Sequence, residues 1–411
     1  MALADLSDWL DEQTAPDRVW YIKRLSANDT GQTGGHQAGV YAPKPMMFSL
    51  FPSMNQQPPP ENLDAFFTLY VDSHVQRAEV RAIWYNNKYW KVPKPANPRD
   101  EMRITRFAGT PLQDAENTGA LALFSFVRTD GDCRECHVWV CEESIEEDLI
   151  EERTGPIDPG MYLIWEPTQM RQSDLFEARV YRSSCHLQPN EMPAAWRTAY
   201  PTGMEIVAKT VEMRPDAQLP PDKRLLRRRA CEYEIFLSIE EAIELPAIRQ
   251  GFTTIEEFVA RAQTLLQRRK SRSGRSLELH ARAILLEEGF VEGTDFAWQP
   301  KTEQNRTPDF LFPNAQAYHD AAFPASRLRL LAAKTTCKDR WRQVAKEAAR
   351  IDTKHLLTLQ EGVSENQFRQ MVEEGVQLVV PQGLIGKYPE PVRPHLVTLE
   401  SFIGDVRACQ P

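Results

Sequence analysis

The sequence predicts two domains of different class, an all-β, barrel-like or sandwich-like first half and a mixed α/β second half. Three observations predict this. The chain has 411 residues, enough for two domains that each bury a core. Its first half is a series of short apolar segments punctuated by Gly, Pro, Asn and Asp. After residue 309 the pattern alternates strand, helix, strand, helix, strand, which implies a partly parallel sheet covered by helices.

In chain order, the β segments of the first half are Val19–Ile22, Phe66–Val71, Ala82–Tyr85, Ala120–Phe126, His137–Cys141, Tyr162–Trp165 and Ala178–Tyr181. The predicted domains are residues 1–184 and 195–411, with the boundary near 184–195. Thr202–Met213 reads as a helix and is followed by a Pro-rich connector. A helix over Glu232–Ile248 is expected to break near Pro246. The next, Ile255–Arg269, has Thr253 and Thr254 as caps with Glu256 and Glu257 behind them. Ser276 is read as the cap of a further helix running to Glu288 and stopping at Gly289. Leu328–Thr335 is a strand, Lys338–Ile351 a helix and His355–Leu359 a strand. Glu365–Glu374 is a helix capped by Ser364, and Val376–Val380 is the last strand.

Composition narrows the function classes. Hydrophobic residues at 42% and charged residues at 26% are ordinary for a soluble protein. No apolar run reaches the length of a membrane span, and the acidic start lacks the pattern of a signal peptide, so no membrane partner and a cytoplasmic location are expected. Seven scattered cysteines fit reduced thiols. Cys133-Arg-Glu-Cys136-His137 matches the c-type haem pattern, but without an export signal or a second ligand pair it reads as incidental thiols in a hairpin. The net charge is −9, yet charge is unevenly spread. Residues 142–152 carry seven acids, whereas Arg268, Arg269, Lys270, Arg272 and Arg275 stand together without one. Lys223, Arg224, Arg227, Arg228 and Arg229 form a second basic group. Local fields of this kind steer a polyanion whatever the total charge.

Two strings carry the chemistry. Pro308-Asp309-Phe310-Leu311-Phe312 is an apolar strand that delivers a carboxylate. Leu330-Leu-Ala-Ala-Lys334-Thr-Thr336 is another that delivers an amine. An unpaired charge at the end of a buried strand is costly. A site that holds a divalent metal against a phosphodiester needs both groups, one for the metal and one for the attacking water and developing charge. This is the skeleton of the PD-(D/E)XK nuclease fold, except that Ala332 occupies the place of the acid two residues before the lysine. Mg2+ wants carboxylate oxygens, so a replacement is expected nearby. Glu347, thirteen residues past Lys334, is the candidate, as a second metal ligand beside Asp309. Glu278 is the candidate auxiliary acid, although an acid in the first turn of a helix also has a dipole explanation. The run Arg268–Ser276 is read as a loop between two helices that meets DNA. In this reading Arg272 and Arg275 contact guanine edges, and Arg268 and Lys270 hold phosphates.

Read together, YIKRLSANDTG, TGGHQ, PLQDAENTGAL, RRKSRSGRSLELH, PDFLFP and KTTCKDRWRQ resemble the EcoRII family of type IIE restriction endonucleases over nearly the whole chain. The resemblance implies a C-terminal PD-(D/E)XK catalytic domain and an N-terminal, B3-like, β-barrel-like domain that binds a second copy of double-stranded DNA as effector. It implies a homodimer cutting CCWGG-like sites with Mg2+, in a system whose cognate DNA methyltransferase is not a binding partner. By position, Asp309, Lys334 and Glu347 match the catalytic set and Glu278 the auxiliary acid. Lys338 and Arg340 match residues at the scissile phosphate, and Arg229 a DNA-binding cation. His36, Tyr41, Arg99, Glu101 and Arg103 match the effector cleft, with Met102 where a basic residue is expected. Two alternatives stand beside this reading: a non-catalytic DNA-binding regulator with a nuclease-like fold, and a recombinase using Tyr318.

Overall fold

The computed structural model describes residues 3–33, 39–93, 96, 98–166, 185–338 and 340–409. The expected strand Ala178–Tyr181 lies outside the described residues. In the first body, β1 (Arg18–Arg24), β2 (Val40–Ala42), β3 (Asp64–Val71), β4 (Gln76–Tyr85), β5 (Glu101–Thr105), β6 (Leu121–Val127), β7 (Glu135–Val140) and β8 (Tyr162–Trp165) form one sheet. Its order is β2-β5-β4-β3-β7-β6-β1-β8. Only the β3–β7 pairing is parallel. The sheet curls until its edge strands meet. Tyr41 of β2 and Tyr162 of β8 have ring centroids 6.4 Å apart, and Tyr21 of β1 donates its hydroxyl hydrogen to the Tyr41 carbonyl. That curl gives the barrel-like form expected from the sequence.

Both faces of this sheet are covered, which explains the unbroken apolar run of β6. The inner face packs Tyr21, Leu69, Phe124 and Val138 beneath helix α2 (Lys44–Leu50). The outer face packs Trp20, Leu123 and Trp139 against Trp9 of α1 (Leu3–Glu12) and Ile150 of α4 (Ser144–Thr154). A one-turn helix, α3 (Asn87–Trp90), links β4 towards β5.

The second body is a five-stranded sheet of β9 (Ala297–Trp298), β10 (Phe310–Phe312), β11 (Arg329–Ala333), β12 (Lys354–Leu357) and β13 (Val376–Val379), in the order β13-β12-β11-β10-β9. β11, β12 and β13 run parallel, and β9 and β10 join antiparallel. This is the mixed sheet that the alternation predicts. Successive side chains of β11 enter opposite cores: Leu330 and Ala332 one, Leu331 and Ala333 the other. Its helices are α5 (Gly203–Met213), α6 (Pro221–Gln250), α7 (Ile255–Glu287), α8 (Ala315–His319), α9 (Trp341–Val344), α10 (Glu365–Glu373), α11 (Gln382–Ile385) and α12 (Leu399–Cys409). Thr254 and Ser364 cap α7 and α10 with their side chains, as expected, and Thr202 caps α5.

Four expectations change. First, α6 passes through Pro246 without a break. Second, α7 is one helix of 33 residues, so the basic cluster is helical and not a loop. Ser276 does not cap; its hydroxyl donates to Glu232 of α6 at 2.8 Å. Arg268, Arg269, Arg272 and Ser276 of this stretch are tied by carboxylates of α6, and those ties hold a helix that local propensity leaves undecided. Third, the helix expected over Lys338–Ile351 shrinks to Trp341–Val344. The Gln360 side chain captures the amides of Cys337 and Lys338 before it, and Ala348 adopts φ +45° after it. Fourth, Cys185 and Cys231 form a disulfide, while Cys133, Cys136, Cys141 and Cys337 are buried and stand outside it. The two partners are 46 residues apart, and they meet because the Leu187 amide docks on Ser238 of α6. Among the described residues no helix is long and apolar enough to cross a membrane.

Candidate active site and nucleic-acid interface

Asp309 and Lys334 meet because β10 and β11 pair antiparallel, with Phe310 opposite Leu331. Asp309 precedes β10 and Lys334 follows β11, so both emerge at one end of the sheet. Asp309 Oδ2 accepts from the Ala333 amide at 2.7 Å and from Lys334 Nζ at 3.0 Å. The lysine backbone is fixed in turn, its amide donating to the Leu357 carbonyl of β12.

The candidate for the missing acid, Glu347, belongs to the same electrostatic neighbourhood. Ala332 lies on the same face of β11 as Lys334 and is packed in one core with Val344 and Ala348, which flank Glu347. Glu347 therefore comes in over the alanine, from the turn after α9 and not from the helix expected there. Burial pushes its carboxyl up to about 7; Asp309 pushes in the same direction, and Lys334 and Arg306 oppose. Its Oε2 is buried without a hydrogen-bond partner among the described residues. An orphaned carboxylate oxygen beside a second carboxylate is a poor resting arrangement and a suitable one for a divalent cation. Asp309 and Glu347 thus fit Mg2+. No group of three or more metal-ligating side chains converges among the described residues.

Glu278 lies in the middle of α7, not in a first turn, so the helix-dipole account of it lapses. It is 5% exposed. Its Oε1 accepts from Trp298 Nε1 and, at 2.7 Å, from Gln299 Nε2. Burial raises its pKa and Asp309 raises it further, while those two donors and Arg275 pull it down. It therefore belongs to the same electrostatic unit as Asp309.

Around this centre, the first body supplies oxygens to the cations of the second. Asp158, in the turn between α4 and β8, accepts from Ser273 Oγ at 2.6 Å and Arg229 Nη2 at 3.1 Å, and lies 3.9 Å from Arg272. Asp148 of α4 takes Lys270 at 3.2 Å. Lys338 donates to the carbonyls of Cys141 and Glu142, both at 3.1 Å. Behind Asp158, Glu232 holds Arg272 at 2.8 Å, and the guanidinium lies over Tyr233 and Phe236. Arg229 Nη1 and Arg272 Nε have no hydrogen-bond acceptor among the described residues. Arg268 and Arg269 are held within their own body by Glu244 and Glu240. Arg275 is exposed, and Arg340, partly exposed, opens α9.

The effector candidates divide. Tyr41 and Arg103 are direct partners across β2 and β5, and Arg103 pairs with Glu101 at 3.1 Å. Met102 between them is fully buried, because alternate residues of β5 face the core. Tyr41 and Arg103 line a cleft whose other wall includes Glu361 and Lys387 of the second body. Arg99 lines a separate hollow with Trp90 and Lys91. His36 lies outside the described residues. Tyr318, the alternative nucleophile, is 1% exposed and its hydroxyl is bound to Glu303, which leaves it a structural residue.

Sequence reasoning passed over Asp158, Asp148, Glu232 and Gln299. The Gly155-Pro-Ile-Asp158-Pro-Gly160 turn was a visible signal; the others gain meaning only from their partners.

The N-terminal model of restriction endonuclease EcoRII matches residues 14–169, and the EcoRII C-terminal model matches residues 236–403. The type II restriction enzyme EcoRII of Escherichia coli is 44% identical over 410 residues, 99% of this chain and 98% of that one. Among solved structures, metal-depleted Ecl18kI in complex with uncleaved, modified DNA is similar at 18% identity and a TM-score of 0.43, over 51% of this chain and 78% of that one. The B3 domain of UbaLAI restriction endonuclease with cognate DNA is similar at 21% identity and a TM-score of 0.28, over 39% of this chain and 97% of that one.

Proposed function

The chain belongs to the EcoRII family of type II restriction enzymes, site-specific deoxyribonucleases, and on that premise we propose that it cleaves double-stranded DNA at CCWGG-like sites with Mg2+, as a homodimer whose N-terminal domain binds effector DNA and restrains the nuclease. The observation that carries the catalytic part is the Asp309–Lys334 pair at 3.0 Å with Glu347 beside it. Asp309 and Glu347 would hold Mg2+, which when bound stabilises negative charge on the phosphate. Lys334 orients the attacking water for in-line displacement, leaving 5′-phosphate and 3′-hydroxyl ends. Glu278 serves as auxiliary acid. Lys338 and Arg340 steady the scissile phosphate.

The restraint rests on a separate observation. Arg229, Lys270, Arg272 and Lys338, the cations offered to substrate, hold oxygens of the N-terminal body. Carboxylates and carbonyls stand where phosphates would be bound, so DNA and that body compete for one surface. Effector DNA shifts the balance only through its differential affinity for the open form. The cleft shared by Tyr41, Arg103, Glu361 and Lys387 gives it a place to act, since a duplex seated there would meet both bodies. Arg272, lying over Tyr233 and Phe236 and held by Glu232, serves base or phosphate contact only after Asp158 withdraws.

Incubating the chain with a sequenced plasmid, with and without Mg2+, and mapping the ends tests the reading. Cuts at CCWGG only with the metal are expected, and cuts at CCNGG would widen the site. Specific binding without any cleavage would instead favour a non-catalytic DNA-binding regulator.

A further inference from the structure

Gln299 stands in the left-handed region, φ +49°, which L side chains rarely adopt. Other described non-glycine residues share that trait, but Gln299 also bonds to two site acids. Its backbone amide donates to the Asp309 carbonyl at 2.9 Å. Its side-chain amide donates to Glu278 at 2.7 Å. It directly follows Trp298, whose indole donates to the same carboxylate oxygen and whose ring carries the Arg282 guanidinium, 4.8 Å from the ring centre. An uncommon backbone state persists where the surroundings over-determine it, and such states gather at working sites. Here the over-determination has a visible product: one residue fixes the spacing between the Asp309 main chain and the Glu278 carboxylate.

We propose that Gln299 is a positioning residue for DNA cleavage, setting the Glu278 carboxylate against Asp309. The inference rests on the reading of Asp309 and Glu278 as parts of the nuclease centre. Substitution to glycine separates its two traits. Gln299→Gly keeps the left-handed backbone without strain and removes only the side-chain amide.

The experiment uses the full chain in single-turnover cleavage of CCWGG-containing DNA with Mg2+, DNA binding in Ca2+, and thermal melting. Gln299→Gly should melt at or above the wild-type temperature and bind DNA within about twofold of wild type, while cleavage slows about 10- to 100-fold, as for other residues that orient a metal-site carboxylate. A double-mutant cycle with Glu278→Ala then tests the route. If Gln299 acts through Glu278, the double variant cuts no more slowly than Glu278→Ala alone. Wild-type cleavage by Gln299→Gly, or costs that multiply independently in the double variant, would overturn the inference. Asp309→Ala and Lys334→Ala variants that still cut would instead overturn the catalytic reading beneath it.

Discussion

At the scale of the residue, the centre is a set of charges that tolerate one another poorly without a cation. Glu347 is half-buried, and its carboxyl is raised to about 7 by burial and by the charge of Asp309, with Lys334 opposing. Glu347→Ala should lower cleavage by at least roughly two orders of magnitude, the scale of losing one preorganised electrostatic group, with specific DNA binding retained. Chelation of Mg2+ should abolish cutting in the same way. Cleavage by Glu347→Ala near the wild-type rate would remove this residue from the catalytic set. Ala332, at the place of the usual strand acid of the PD-(D/E)XK pattern, packs in one core with Val344 and Ala348 on either side of Glu347, so the proposed replacement acid enters over an apolar position.

At the scale of the element, α7 and β12 give two checks. Gly274 lies within α7, and a Cβ there would meet nothing within 4 Å. In a helix, Gly274→Ala should stabilise the protein by about 0.5–1 kcal/mol, seen as a higher melting temperature. Were this stretch the loop that its Ser, Gly and Arg content suggests, no such gain would appear. His355 of β12 is buried against Phe402, and its pKa is lowered to about 4, chiefly by burial and then by Arg329, with Asp405 opposing. The unfolded chain takes up this proton near pH 6.5 and the folded chain only near 4, so the unfolded state binds more protons in between. Stability should therefore fall as pH drops from 6.5 to 4, by about 3 kcal/mol from this group alone. His355→Leu should flatten that part of the melting-temperature profile. A profile identical to wild type would show that the ring takes up its proton in the fold without cost.

At the scale of the whole molecule, the two bodies share the cations of one surface. Asp158 meets Ser273, Arg229 and Arg272 together, so Asp158→Asn keeps its shape and removes its charge. Cleavage of single-site DNA should rise roughly fivefold or more, the scale of a typical coupling energy. Cognate oligonucleotide added in trans should then stimulate this variant less than wild type. A fragment starting near residue 185 keeps Cys185 and its partner Cys231, and it should cut single-site DNA faster than the full chain without responding to effector. Equal rates for full chain, fragment and Asp158→Asn would leave the N-terminal body as an accessory binding module.

The sequence by itself determined the two fold classes, the caps at Thr254 and Ser364, and the Asp309 and Lys334 strand ends, because these follow from local periodicity and from the cost of a stray buried charge. It also pointed to Glu347 as the candidate to replace an absent acid, although not to the turn that presents it. Tertiary structure alone decided four things. The Arg268–Ser276 run became helix because Glu232, Glu240 and Glu244 of α6 tie its side chains from a distant part of the chain. Gln360 cut short the helix after Lys338, and Cys185 met Cys231. Asp158 came to lie on Arg229 and Ser273 of the second body. In each case the deciding interaction joins residues remote in sequence, and a pattern read over a dozen neighbours cannot contain it.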